Sequence, residues 1–325
     1  MIASPAIHIG HGVIEFPPAI VAHVAYVAQD SGYLSAVRTT DGTKVWQVRI
    51  AHAADSPAVA HGRVFVDTSA GLTAVAVASG KLLWRRQIAA GESKPTIIGT
   101  HVCVGAKVGG VFCFGQYGGR LIRHLADGCK ITGHVAYVGG SFYWDDYCGN
   151  VTRAGPHRVL WTRHVGRVFY TAPVVSQGVV YLGDRDGGAY LAVSADTGAR
   201  LWRTYVGPDV YGTPAVTAGA VYGTYRGTTA GGGFIKLNRV TGAILWRRAV
   251  GVPVMASPIV TGHRAWFATA PPNYAPGVIL AFDVNGMHPA FTFGSDGRYT
   301  PLAVDGTDAV LVGRQDLYVM RGQAT

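Results

Sequence analysis

Short apolar runs alternate with polar, glycine-containing turns along this chain, and the alternation itself recurs. A proline, usually after a small residue, opens a short apolar run, and a glycine often follows about five residues later. A Val/Phe/Tyr run, a turn, another apolar run, a Gly-rich turn and a tryptophan complete the unit. The stretch from Ser56-Pro57 to Trp84 shows it well: runs at 58–60, 63–68, 72–78 and 81–88 read as four strands. They are rich in β-branched and aromatic residues and bounded by turn formers. Units open at Pro18, Pro57, Pro95, Val135, Pro173, Pro214, Pro258 and Pro301, spaced 39, 38, 40, 38, 41, 44 and 43 residues apart. Val135 is a degenerate start, placed by aligning Gly140-Ser141-Phe142-Tyr143 with Gly178-Val179-Val180-Tyr181.

Four strands per period of about 40 residues is the pattern of a β-propeller blade. Eight such units account for nearly all 325 residues, so an all-β chain is expected, forming one eight-bladed propeller domain over 1–325. The eighth unit ends before its fourth strand. Residues 6–16 are expected to supply that strand, which would pair the two chain ends and leave no open edge.

A second marker runs in phase. Trp46, Trp84, Trp161, Trp202 and Trp246 lie 26 to 32 residues after their unit openings. The run from Ala192 to Trp202, Ala-Val-Ser-Ala-Asp-Thr-Gly-Ala-Arg-Leu-Trp, resembles the tryptophan docking motif of quinoprotein (PQQ-like) repeats. Segments 36–46, 74–84 and 236–246 are weaker copies. The resemblance covers essentially the whole chain. It implies an eight-bladed propeller in which these five tryptophans dock neighbouring blades, each indole N–H needing an acceptor. Relatives of this kind include PQQ-dependent alcohol dehydrogenases and non-enzymatic propellers of the BamB type. Many of the dehydrogenases are much longer and carry a vicinal Cys-Cys disulfide beside the quinone. Here Cys103, Cys113, Cys129 and Cys148 are never adjacent.

Composition narrows the picture. Charged residues are 14% and hydrophobic residues 49%, which excludes intrinsic disorder. Only two glutamates and six lysines occur, against 45 glycines, so an α-rich fold is excluded. The net charge is +10, carried mainly by arginine. That balance favours anionic partners, an anionic surface among them, while no dense basic run or recognition helix points to specific nucleic-acid binding. Arg85, Arg86, Arg163, Arg203, Arg247 and Arg248 flank the repeat tryptophans on the outermost strands, where charge blocks aberrant strand pairing. The most apolar stretch, 13–28, is broken by Glu15, Pro17, Pro18 and His23, so no transmembrane segment is expected, and no signal-peptide pattern opens this chain.

Cys103 and Cys113 sit symmetrically about Val108 on neighbouring strands, and Cys129 and Cys148 fall in two loops expected at one end of a blade. Two disulfides, 103–113 and 129–148, are expected in an oxidising periplasmic or extracellular compartment; four reduced, buried thiols are the alternative. His8-x-x-His11 is the one close histidine pair, and no metal motif is found. No G-x-S-x-G or S-x-x-K marks a nucleophile, so no catalytic residue is assigned.

Function should lie in loops. The second-to-third-strand loops and those between blades should share one face at the channel mouth. They present Asp145, Asp146, Tyr147, Arg167, Tyr170, Asp184, Arg185, Tyr211, Tyr225, Arg226, Tyr274, Arg298 and Tyr299. Tyr and Arg are typical of binding hot spots. The expected function is therefore a non-enzymatic scaffold propeller, monomeric, docking a protein partner or a small polar ligand on that face. The resemblance also allows a quinoprotein-like oxidoreductase using PQQ and calcium; exposed tyrosines allow a glycan-binding propeller.

Overall fold

The computed structural model describes residues 2–3, 6–10, 12–53, 55–89, 92–227, 231–269, 277–284, 289–295, 302–305, 308–312 and 315–321. The chain divides into two compact units, one formed by 1–128 with 301–325 and the other by 129–300. Among the described residues no helix is long and apolar enough to cross a membrane. The secondary structure is β throughout, in eight antiparallel sheets.

The first unit holds sheets 1 to 3, at 19–49, 58–86 and 96–125, and sheet 8, at 302–321. The second unit holds sheets 4 to 7, at 136–164, 174–205, 215–249 and 259–295. Each sheet is a meander, of four strands in sheets 1 to 7 and of three strands joined by two short N-terminal ones in sheet 8. The first strand of each meander begins one residue past the unit opening read from the sequence, at Ala19, Ala58, Thr96, Ala136, Val174, Ala215, Ile259 and Leu302. Within each unit the first strands of successive sheets touch, which makes them the innermost. The second and third strands are buried almost throughout, as in Val64–Thr68 and Ala189–Val193. The core lies between sheets: Tyr143, Val151 and Trp161 of sheet 4 pack with Val180, Leu182 and Leu191 of sheet 5.

The last sheet completes itself with the N-terminus, as expected, but only residues 7–8 of the expected 6–16 pair there, and Ile2–Ala3 join them. Ile2 and Ala3 pair with Arg321 and Met320, and Ile7 and His8 pair with Leu317 and Asp316. Pairing stops at His8 because Gly10 and Gly12 turn the chain at φ of 75° and 127°. Ile9 before them, whose N–H still donates to the Gln315 carbonyl at 2.9 Å, and Ile14 beyond them enter the core beside Val310, Leu317 and Val319.

A β-bulge explains how the tryptophans dock. Between the third and fourth strands of sheets 1 to 6 the register slips by one residue just before the tryptophan position. A bulge re-aims the side chains on either side of it. The indole turns inward against the next sheet, where its N–H finds a carbonyl. Trp46 donates to Val77 at 2.7 Å, Trp84 to Gln116 at 2.8 Å, Trp161 to Ala195 at 3.3 Å and Trp202 to Arg239 at 3.0 Å. Each ring lies on a glycine of that neighbouring turn: Gly80, Gly119, Gly198 and Gly242. All four adopt positive φ, between 65° and 71°, and a Cβ on any of them would meet the ring at 3.0 Å or less. Glycine is required there on two separate grounds.

Both expected disulfides are present. Cys103 and Cys113 face each other directly across sheet 3, with Cα atoms 4.0 Å apart. Cys129 and Cys148, 6.0 Å apart at Cα, tie the strand-free entry of sheet 4 to its second-to-third-strand turn.

Candidate functional site

The second unit gathers four of the expected residues into one cluster. Tyr147 comes from the turn between Ser141–Asp145 and Asn150–Ala154, and Arg185 from the equivalent turn of sheet 5. Tyr170 and Tyr211 come from the loops that follow the outer strands of sheets 4 and 5. Arg185 is the hub. Its Nη1 donates to the Tyr147 hydroxyl at 2.7 Å, and its Cζ lies 5.5 Å from the Tyr170 ring centre and 5.0 Å from that of Tyr211. Tyr147 and Tyr170 meet edge to face at 6.5 Å, as do Tyr170 and Tyr211 at 6.0 Å. Tyr147 and Tyr170 remain 37% and 38% exposed, so the cluster is ordered yet presented to solvent.

The loops are held from below. The Cys129–Cys148 disulfide lies beside Tyr147, whose N–H donates to the Lys130 carbonyl at 2.8 Å. The Lys130 ammonium sits 5.5 Å from the Tyr147 ring centre. Lys130 was not among the residues expected from sequence; its place next to Cys129, whose partner abuts Tyr147, is the signal that locates it. Asp186 lies 3.4 Å from Arg185 Nε, and Arg167 is exposed on the same loop as Tyr170.

Other expected surface residues are internal. Asp184 is fully buried: its carboxylate accepts the N–H groups of Arg167, Val168 and Gly187 at 3.0, 3.4 and 3.2 Å. It also receives Arg203 Nη2 at 2.8 Å. It therefore fixes the loop beneath the cluster and does not face a partner. Asp146 does the same for its own turn, accepting from Cys148 N, Asn150 N and Asn150 Nδ2, each at 2.9 Å. Asp145 is 1% exposed, and neither carboxyl oxygen has a hydrogen-bond partner from another residue. Burial drives that carboxyl well above its ordinary range, and the adjacent Asp146 charge pushes it the same way. Tyr225 lies inside a strand that runs to Arg226, 4% exposed, with the Arg247 guanidinium 4.2 Å from its ring centre. Arg226 faces Asp209 at 3.7 Å, outside the tyrosine cluster. Tyr274, Arg298 and Tyr299 lie outside the described residues.

The metal question resolves on chemistry. Ligand atoms of Cys129, Asp146 and Cys148 lie within 4.8 Å of one another, but the two sulfurs are bonded to each other. His8 pairs with Asp316 at 2.9 Å, and His11 lies outside the described residues.

Comparison with known proteins places this geometry. No curated protein sequence matches the chain. BamB from Moraxella catarrhalis is 16% identical over 99% of each chain, with a TM-score of 0.82. A europium-containing methanol dehydrogenase is 13% identical, covering 97% of this chain and 85% of its own, at a TM-score of 0.76. Quinohemoprotein alcohol dehydrogenase from Comamonas testosteroni is 12% identical, covering 99% and 77%, at 0.74. These likenesses establish the fold, an eight-bladed β-propeller of PQQ-like repeats. The family described as outer membrane protein assembly factor BamB matches residues 5–131, 118–217 and 191–324, and the chain belongs to that family.

Proposed function

We propose that this protein is a non-catalytic docking propeller that holds a protein partner of outer-membrane protein assembly on the Tyr147, Tyr170, Tyr211 and Arg185 cluster. The observation that carries the reading is the cluster itself: three tyrosines converge from separate loops on one arginine. Aromatic residues and arginine contribute most per residue to binding energy, and ordering before binding lowers the entropic cost of association. Lys130 and Arg167 add positive charge, which favours a partner with an acidic contact segment. The two disulfides support an oxidising compartment, periplasmic or extracellular.

The quinoprotein reading draws support from the fold likeness to the dehydrogenases. Their cofactors do not fit the described residues. A calcium site needs carboxylate oxygens with free lone pairs turned into a cavity. Here Asp146 and Asp184 are taken up by main-chain donors, Asn150 and Arg203, and Asp145, whose oxygens have no partner from another residue, is a single carboxyl only 1% exposed. The cysteines pair within separate sheets instead of forming a vicinal bridge. No catalytic step is derived through PQQ or calcium.

A photo-crosslinking amino acid at position 170 or 211 tests the docking role in the intact cell envelope. The expected result is a crosslink to an outer-membrane assembly component that is lost with Arg185→Ala. A crosslink unaffected by Arg185→Ala, or seen equally from Val240 in a turn at the other end of sheet 6, would overturn it. A PQQ and calcium titration read by tryptophan fluorescence separates the enzymatic reading, since saturable stoichiometric quenching supports that reading alone.

A further inference from the structure

The end of each sheet that carries its first-to-second and third-to-fourth strand turns, which in sheets 4 and 5 is the end opposite the tyrosine cluster, bears a second, repeated feature. In each antiparallel meander the first-to-second and third-to-fourth strand turns share one end. Most of the exposed large hydrophobic residues lie there. The β-bulge before each tryptophan position holds one aliphatic residue outward: Val45, Leu83 and Ile122 in the first unit, and Leu160, Leu201 and Leu245 in the second. Their exposures run from 41% to 54%. Six sheets thus each expose an aliphatic residue at the same structural position.

Cations accompany these residues. Lys44, Lys81, Arg120, Arg158 and Arg200 open the same outer strands or directly precede them, and all five are exposed. Among the described residues none of the five is in an ion pair. The carboxylates of the same turns are matched by other arginines: Asp41 by Arg38 at 3.4 Å and Asp196 by Arg153 at 2.9 Å. What remains is aliphatic surface beside unneutralised long-chain cations. That combination suits a lipid–water interface, where the aliphatic groups enter the acyl boundary and the cations reach anionic headgroups.

We propose that this turn end of the sheets, in each unit, is a docking surface for an anionic bilayer. Charge complementarity selects the occupant: the patch is apolar with positive charge left over, and a phosphate-bearing lipid surface supplies both counterparts. The tyrosine cluster at the other end of sheets 4 and 5 stays clear of the membrane contact.

The test uses the full chain and sedimentation with phosphatidylcholine vesicles, with and without about 30% phosphatidylglycerol. Binding to the anionic vesicles should be about tenfold tighter and should weaken steeply as salt rises. The combined variant Leu83→Ser, Leu160→Ser, Leu245→Ser should lose about tenfold, as should Lys81→Glu, Arg120→Glu, Arg200→Glu. These side chains are substantially exposed, and circular dichroism checks that both variants fold. Equal binding to neutral vesicles, wild-type binding by both variants, or no vesicle binding would overturn the proposal. A dimer in light scattering without vesicle binding would reassign the face to a second copy of this chain.

Discussion

Gly242 allows the docking of neighbouring sheets to be measured. Its φ is +71°, and a Cβ placed on it would lie 2.7 Å from Trp202 Cδ2, with Cε3 and Thr204 Oγ1 at 2.8 Å. Neither neighbour can yield easily. The Trp202 ring is 8% exposed and anchored by its hydrogen bond to Arg239, and the Thr204 hydroxyl donates to the Gly242 carbonyl at 2.7 Å. In Gly242→Ala the left-handed backbone costs about 1 kcal/mol and the overpacking a further ~1–3 kcal/mol. Gly178→Ala is the control: its φ is +74°, with nothing within 4 Å of the added Cβ, so only the backbone cost of about 1 kcal/mol applies. Urea unfolding of the two variants should therefore differ by ~1–3 kcal/mol. A double-mutant cycle completes the test, because on a Trp202→Ala background Gly242→Ala should cost less than it does in the wild type, the Thr204 contact alone remaining. Equal losses for the two single variants would refute the idea that the glycines exist to receive the indoles.

Three further outcomes follow from the same geometry. Dithiothreitol acting on the folded protein should open Cys129–Cys148 first, since Cys148 is exposed while Cys103 and Cys113 are 1% and 0% exposed; iodoacetamide should then label two thiols, and equal labelling of all four would count against it. Asp184→Ala should destabilise by ~3–5 kcal/mol in urea unfolding, because it strands the Arg203 charge and three main-chain donors, and Arg203→Ala in the same chain should recover part of that loss. Asp55 is held at about 6 by burial, against the opposing pull of the Ser56 N–H and the Lys94 charge. Its folded pKa lies above the unfolded value of about 3.9, so the folded state binds the extra proton between pH 4 and 6 and stability falls as pH rises through that window. Asp55→Asn should remove that slope and be the more stable protein at pH 7, as thermal unfolding at both pH values would reveal.

What could be read from the sequence was whatever repeats. Proline openings recur in seven of the eight units and the phased tryptophan in five, so periodicity locates the first strands to one residue. The closing strand could not be read so well, because it occurs once and competes with Gly10 and Gly12, whose turning is a local event without a repeat to align. The cysteine pairs were legible through strand symmetry and loop placement. Residue type and loop position pick out Tyr147, Tyr170, Arg185 and Tyr211, which the structure clusters. The same criteria place Asp184 and Tyr225 on the surface, and both are buried. A carboxylate at a turn looks solvent-facing, yet the donors that bury Asp184 come largely from a loop 16 and 17 residues earlier. Tyr225 looks like a loop residue until its strand is seen to extend to Arg226.

The same contrast separates the two surfaces. The tyrosine–arginine cluster is built from loops of sheets 4 and 5 alone, which suits the single partner proposed for it. The bulge aliphatics recur in six sheets, with a cation before five of them. A feature shared by six of the eight sheets is not the mark of a single specific contact; it serves either the folding of each sheet or a broad partner that meets many sheets alike. Folding does not require it, because the bulge positions the tryptophan through backbone register, and the residue at the bulge is left about half exposed. Substituting those aliphatics should therefore leave urea stability within about 0.5 kcal/mol per site while changing what the surface binds, and a larger loss of stability would return the pattern to the folding of the repeat.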